Sequence, residues 1–334
     1  MTFPEFREKF ESVTVDWYPT SCGEDPMVTI CVQTFKHATF IRQCLDSILV
    51  QQTNFEFQIQ LGEDGSVDGT REICVDYAKK YPDKIRLFLH HRENNITING
   101  MPTGRFNFLY NLFTAKGKYV ALCEGDDYWT DPKKLQKQVD IMEASDHYVA
   151  CFHDVSRLTN KGLIPSQLRF LTPDNEMIAS DVELKDIISR KWIIPTCSFL
   201  FRRDKLILNN SFLDFPNGDF LLFVELSKSA KFLFIPEIMG VYRKNNPGNA
   251  TNNRDIRDRI LIGVKKIRLF IDLQKRGILN EDPVVWDVIE KELEEVIGNA
   301  NVLKVNRVLS GYIKLVRLLK RIRFFFRELF MVHN

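Results

Sequence analysis

Long apolar runs are missing from this chain. None reaches the roughly eighteen residues that cross a bilayer, so no transmembrane helix is expected. The opening stretch, Met1 to Lys9, lacks the apolar segment of a secretory leader. Cysteine occurs seven times but never as a Cys-x-x-Cys pair, which disfavours a zinc ribbon or a dithiol redox motif. An odd, scattered set in apolar surroundings suits small buried hydrophobes in a reducing compartment, so a cytoplasmic location is expected. Charge of one sign is not in excess either. The 46 Lys and Arg against 44 Asp and Glu leave +2, too little to steer the whole chain to nucleic acid. There is no internal repeat and no low-complexity tract.

What is present is an alternation of strand and helix signals. Met27 to Val32 and Phe55 to Leu61 read as buried strands, each followed by an amphipathic helix (Ala38 to Gln51, Thr70 to Lys80). Ile85 to His90 gives a third strand, and Tyr119 to Cys123 a fourth after a helix beginning at Arg105. Strand-helix-strand order implies parallel strands with right-handed crossovers. Residues 1–26 form a lead-in packed on the domain, 27–245 one α/β domain, and 254–334 a helical region. The domain divides into halves at 27–130 and 131–245.

The Tyr119 strand ends abruptly in Glu124-Gly125-Asp126-Asp127. Open α/β sheets place ligands at the carboxyl ends of their strands. Crowded carboxylates repel unless a cation or hydrogen bonds offset them. Oxygen donors of this kind suit Mg2+ or Mn2+, bound through one or two carboxylates plus substrate phosphates. A solvated acidic turn is the plain alternative. Glycine is absent from Gln33 to Thr39, after the first strand, so a glycine-rich phosphate loop of the nucleotidyltransferase kind is disfavoured.

Four pieces occur in order: Gln33-Thr34-Phe35-Lys36, Glu63-Asp64-Gly65-Ser66-Val67-Asp68-Gly69-Thr70, the Arg105 helix, and Glu124-Gly125-Asp126-Asp127. Together they resemble family 2 inverting glycosyltransferases of the GT-A fold, over about residues 27–245. The segment from Glu124 to Val139 is similar to bacterial members that build surface polysaccharides. Gln33, Phe35 and Lys36 stand where that family usually has Pro, Tyr and Asn, and Glu63 and Glu124 where it has Asp.

The resemblance implies a mixed sheet flanked by helices and a nucleoside-diphosphate-sugar donor, expected to be a UDP-sugar. It implies that Gln33, Thr34 and Phe35 line the base pocket, and that Asp64 accepts from base or ribose. Arg105 would pair with phosphate. Asp126, with Asp127 or Glu124, would hold Mn2+ or Mg2+ against the diphosphate. Asp219, ahead of a predicted helix from Phe220, matches the family's acceptor-side base; helix capping is its plain alternative. Thr196, Ser198, Tyr242 and Arg243 are acceptor-side or loop contacts. Asp68 reads as a turn cap and His153 as a structural group.

Roughly from Lys304 to Phe330 a basic amphipathic helix is predicted. It suits an anionic membrane surface beside a lipid-linked acceptor, or packing and a homodimer seam. A degenerate domain used for glycan binding or scaffolding is the non-enzymatic alternative.

Overall fold

The computed structural model describes residues 1–98, 100–164, 180–189, 194–215, 217–244, 256–279 and 283–302. Contacts divide the chain into two units, Met1–Asn249 and Ala250–Asn334. The predicted basic helix from Lys304 and the loop from Asn245 to Asn249 lie outside the described residues.

The first unit is built on one mixed sheet. Its strands run in the order Asp16–Trp17, Ile85–Leu89, Phe57–Glu63, Val28–Thr34, Tyr119–Leu122, Leu200–Arg202, Tyr148–Thr159, Lys231–Arg243 and Ser180–Val182. The strands from Ile85 to Leu122 in this order are mutually parallel. The two central ones, Val28–Thr34 and Phe57–Glu63, are buried almost throughout, which explains why they read as apolar runs rather than as alternations. Burying each Ile, Val or Leu here contributes about 1.5–3 kcal/mol, so this end of the sheet is a firm support.

The register places the site. Thr34 pairs with Glu63, and Cys31 with Leu122. Asp64 N–H donates to Thr34 O at 3.0 Å, and Gly125 N–H to Gln33 O at 2.9 Å. The three loops singled out in the sequence therefore leave one rim of the sheet together, at its carboxyl end.

Several elements differ from expectation. Phe232 to Arg243 reads as two short strands about Pro236, yet Lys231–Arg243 is one strand with register shifts between Ile235 and Gly240. A bulge accommodates a residue without an N–H. Ile194 to Arg202 reads in sequence as one strand entered from a Pro turn, yet it is a 3-10 turn, Thr196–Ser198, followed by the short strand Leu200–Arg202. The lead-in contains a helix, Phe3–Phe10. It is started by a capping box in which Thr2 accepts from Glu5 N–H and the Glu5 carboxylate accepts from Thr2 N–H. Phe6 of that helix stacks on Phe106 at 5.1 Å.

In the second unit the helices Ile256–Lys275 and Pro283–Val302 pack together. Lys266 pairs with Glu292 at 2.8 Å, and Gly263 leaves room for Val296. No described helix is long and apolar enough to cross a membrane.

Candidate active site

The acidic loop follows Tyr119–Leu122 and is pressed onto the end of Val28–Thr34. A Cβ on Gly125 would lie 2.6 Å from Thr34 Oγ1 and 3.0 Å from His37 Nδ1. Only a residue without a side chain permits that approach. Thr34 Oγ1, His37 Nδ1 and both polar atoms of the Gln33 amide are buried without a hydrogen-bond partner among the described residues, so this corner holds unused donors and acceptors.

The three carboxylates differ in surroundings. Asp127 is buried; its Oδ1 accepts from Arg243 N–H at 2.8 Å, and its Oδ2 has no hydrogen-bond partner among the described residues. Burial, then Asp126 and Glu124, push its carboxyl well above the usual range. Glu124 Oε2 is also sealed from solvent, without a partner among the described residues. Burial raises Glu124 to about 8, aided by the charges of Asp126 and Asp219. Asp219 therefore stands close enough to Glu124 for their charges to act on one another. Asp219 is the second residue of the helix Gly218–Ser227, and its Oδ1 accepts from Phe220 N–H at 2.8 Å.

Among the described residues, no three His, Cys, Asp or Glu side chains are arranged to hold a metal ion by themselves. The donor set nevertheless suits a hard cation. Among the described residues two sealed carboxylate oxygens lack partners, and burial first, then mutual repulsion, keeps their groups from ionising cheaply. A cation held by one or two carboxylates, with phosphates completing its shell, would relieve that repulsion.

Arg105 is buried. Its Nη1 donates to Phe212 O at 3.0 Å and its Nη2 to Phe215 O at 2.9 Å. A Cβ on Gly218 would come within 2.6 Å of Nη1. Here the guanidinium braces the loop leading into Asp219, whose charge acts on it while burial lowers it to about 10. Arg243 lies under the acidic loop. Its guanidinium donates to Asp126 O and Gln43 Oε1, and sits 4.8 Å from the Phe40 and Tyr128 rings.

On the base side, Asp64 is buried and raised to about 7, chiefly by desolvation, with Arg92 opposing. Arg92 donates to Asp64 Oδ2 and covers the Phe35 ring. Glu63 is turned inward, accepting from Gly65 N–H, Ser66 N–H and Arg71 Nε–H. Asp68 accepts from Thr70 N–H, Thr70 Oγ1–H and Ala38 N–H, closing the turn. Ser198 is fully buried and donates to Pro195 O. Thr196 is buried beside it in the same turn. Tyr242 is half-buried in the strand that ends at Arg243. His153 is buried beside Asp154 O at 2.7 Å and lowered to about 3 by burial, as fits a structural imidazole.

Sequence reasoning missed His37, Gln43 and Arg92. His37 sits in the loop already singled out, and its position after Lys36 was a usable signal. Gln43 and Arg92 carry no pattern in the chain and reach the site only through folding.

Solved structures of like fold include Staphylococcus aureus TarS in complex with UDP-GlcNAc. The TM-score is 0.52 at 18% identity, covering 80% of this chain and 81% of that one. The mannosyltransferase PcManGT from Pyrobaculum calidifontis, in complex with GDP-Man and Mn2+, aligns with a TM-score of 0.50 at 15% identity. That alignment covers 95% of this chain and 86% of that chain. In sequence, an uncharacterized Mycobacterium tuberculosis protein is 32% identical over 219 residues, 64% of this chain and 58% of that protein. An uncharacterized glycosyltransferase of Nostoc is 27% identical over 180 residues, 54% and 52% of the two chains. The chain thus spans little more than half the length of these relatives. Residues 29–207, more than half of the chain, match the family model described as glycosyl transferase family 2, and the sheet is that of the GT-A fold. The chain belongs to glycosyl transferase family 2.

Proposed function

We propose that this protein is a metal-dependent inverting glycosyltransferase. It moves a sugar from a nucleoside-diphosphate donor, a UDP-sugar in the first instance, to a glycan or lipid-linked acceptor in surface polysaccharide synthesis. The observation that supports this reading is that the loops after Val28–Thr34, Phe57–Glu63 and Tyr119–Leu122 leave one rim of the sheet, the acidic residues Glu124 to Asp127 among them. In this reading the acidic loop at the strand ends serves the donor and Asp219, at the start of the helix Gly218–Ser227, serves the acceptor.

In this reading Asp219 takes the proton from the acceptor hydroxyl as its oxygen attacks the anomeric carbon. The bond from that carbon to the diphosphate oxygen breaks, and the configuration inverts because displacement is direct. Asp126, with Asp127 or Glu124, would hold Mn2+ or Mg2+. A bound ion supplies positive charge to the departing diphosphate. Arg105 fixes the loop that carries Asp219, and Arg243 fixes the acidic loop from below. Gln33, Thr34 and Phe35 border the donor pocket, with Thr196 and Tyr242 toward the acceptor; Ser198, fully buried with its hydroxyl on Pro195 O, holds the turn rather than an acceptor. The enzyme works in the cytoplasm, peripheral to the membrane or as a homodimer through its C-terminal helices.

The deciding experiment is a screen of nucleotide sugars for diphosphate release with and without Mn2+. Metal-dependent release from a donor supports the reading. Release from none, with binding to glycans intact, would favour the scaffold alternative.

A further inference from the structure

In the donor-site reading Phe35 lines the base pocket with Gln33 and Thr34, and Asp64 accepts from base or ribose. Phe35 and Asp64 are both already engaged by one side chain. The guanidinium carbon of Arg92 lies 4.0 Å from the Phe35 ring centroid, and Nη1 donates to Asp64 Oδ2 at 2.5 Å. The Asn95 amide, oriented to satisfy both neighbours, donates to Asp64 Oδ1 at 3.1 Å and accepts from Arg92 Nη1 at 2.6 Å. The stem of Arg92 crosses Gly65, where an added Cβ would meet Cγ at 3.0 Å. The Arg92 side chain is 35% exposed and that of Asp64 only 2%. Arg92 can therefore leave toward solvent, whereas Asp64 stays in place.

A flat, delocalised group that lies on an aromatic face and gives an N–H to a carboxylate has the shape and polarity of a base edge. We infer that the Arg92 guanidinium stands in for the donor's base in the free protein, and that an incoming base displaces it by offering Phe35 a ring face and Asp64 an N–H. This rests on the donor-site reading above. The exchange selects a class of base. Uracil, thymine and guanine carry a ring N–H beside a carbonyl. Cytosine has a bare ring nitrogen at that position and leaves the buried carboxylate without its donor. Because Arg92 must vacate the slot first, measured affinity is the intrinsic affinity reduced by the open fraction.

The test is calorimetric titration of the full chain with UDP, TDP, GDP and CDP, with Mg2+ at pH 8. Wild type, Arg92→Ala and Arg92→Lys are compared. Arg92→Ala should bind the preferred nucleotide several-fold tighter, about three- to tenfold, and still disfavour CDP. Arg92→Lys, which keeps the charge but loses the plane, should also bind tighter than wild type. Weaker or unchanged binding by Arg92→Ala overturns the inference, as does wild-type affinity in Arg92→Lys. Equal affinity of the wild type for CDP and the best of the others overturns the base selection. If the wild type binds no nucleoside diphosphate, the donor-site reading falls and this inference with it.

Discussion

The backbone N–H of Arg243 donates to Asp127 Oδ1 at 2.8 Å, joining the end of the long strand to the acidic loop across 116 residues of chain. Asp127 is 1% exposed, and its carboxyl is held well above the usual range by burial and its acidic neighbours. Asp127→Ala leaves the Arg243 N–H without its acceptor and should cost about 1–3 kcal/mol in a urea melt. Asp127→Asn keeps an acceptor of the same shape and is neutral without needing a proton. It should stay within about 1 kcal/mol of wild type. Equal losses from both substitutions would contradict this account of the bond.

Asp219 should separate chemistry from binding. Asp219→Asn retains the size of the side chain but cannot take a proton. Transfer should fall by about 10²–10⁴-fold while the donor dissociation constant changes little. Turnover and calorimetry on the same preparation check this, and near-normal transfer would mean that the base is another group.

Gly125 is the contact between the acidic loop and the Val28–Thr34 strand. In Gly125→Ala the added methyl meets Thr34 Oγ1 at 2.6 Å and Thr34 Cβ at 2.8 Å, both at the end of a buried strand. The loop must lift. Destabilisation of about 1–3 kcal/mol is expected, with donor binding lost in the protein that remains folded. Retention of both would show that the loop shifts freely.

Lys36 has φ of +56°, the left-handed region, where a side chain costs roughly 1–2 kcal/mol and Asn or Gly is better tolerated. The resemblance drawn from sequence gives Asn at this position. Lys36→Asn should raise stability by a few tenths to about 1 kcal/mol, read as a shift in the thermal midpoint. A lower midpoint would mean that the Lys36 ammonium, 5.2 Å from the Phe35 ring, matters more than the backbone.

Stability should depend on pH in a direction set by the raised carboxyls. Glu124 is raised to about 8 and Asp64 to about 7, so near pH 7 the folded chain keeps protons that the unfolded chain has lost. Stability then falls as pH rises. Buried His90 and His153, both lowered to about 3 from 6.5, act the opposite way, but only below about pH 6.5. Buried Lys134, lowered to about 8, also acts the opposite way, above about pH 8, so the fall should show between about pH 6.5 and 8, flatten in Glu124→Gln, and be offset by added Mn2+. Thermal midpoints at four pH values check this; a midpoint rising through that window would overturn it.

Much of the architecture could be read from local pattern. Val28–Thr34 and Tyr119–Leu122 announce themselves by apolar β-branched runs, and Glu124 to Asp127 by carboxylates that no core would accept unpaired. The helix Phe3–Phe10 is marked locally by Thr2, Pro4 and Glu5, although the composition of the lead-in as a whole is mixed. The strand Lys231–Arg243 was harder. Pro236 marks a break in sequence, and only pairing with Tyr148–Thr159 shows that a bulge absorbs it.

By itself, the sequence determined which segments alternate, which loops carry acid, and that these loops follow strands. That is so because apolar period, proline and glycine act within a few residues of themselves. Only the tertiary structure decided that Arg105 braces the Phe212 and Phe215 carbonyls, that Arg92 lies on Phe35, and that Asp219 meets the field of Glu124. Those pairings join residues far apart in the chain. Their partners are chosen by sheet register and by the reach of long side chains, and no local spacing encodes either.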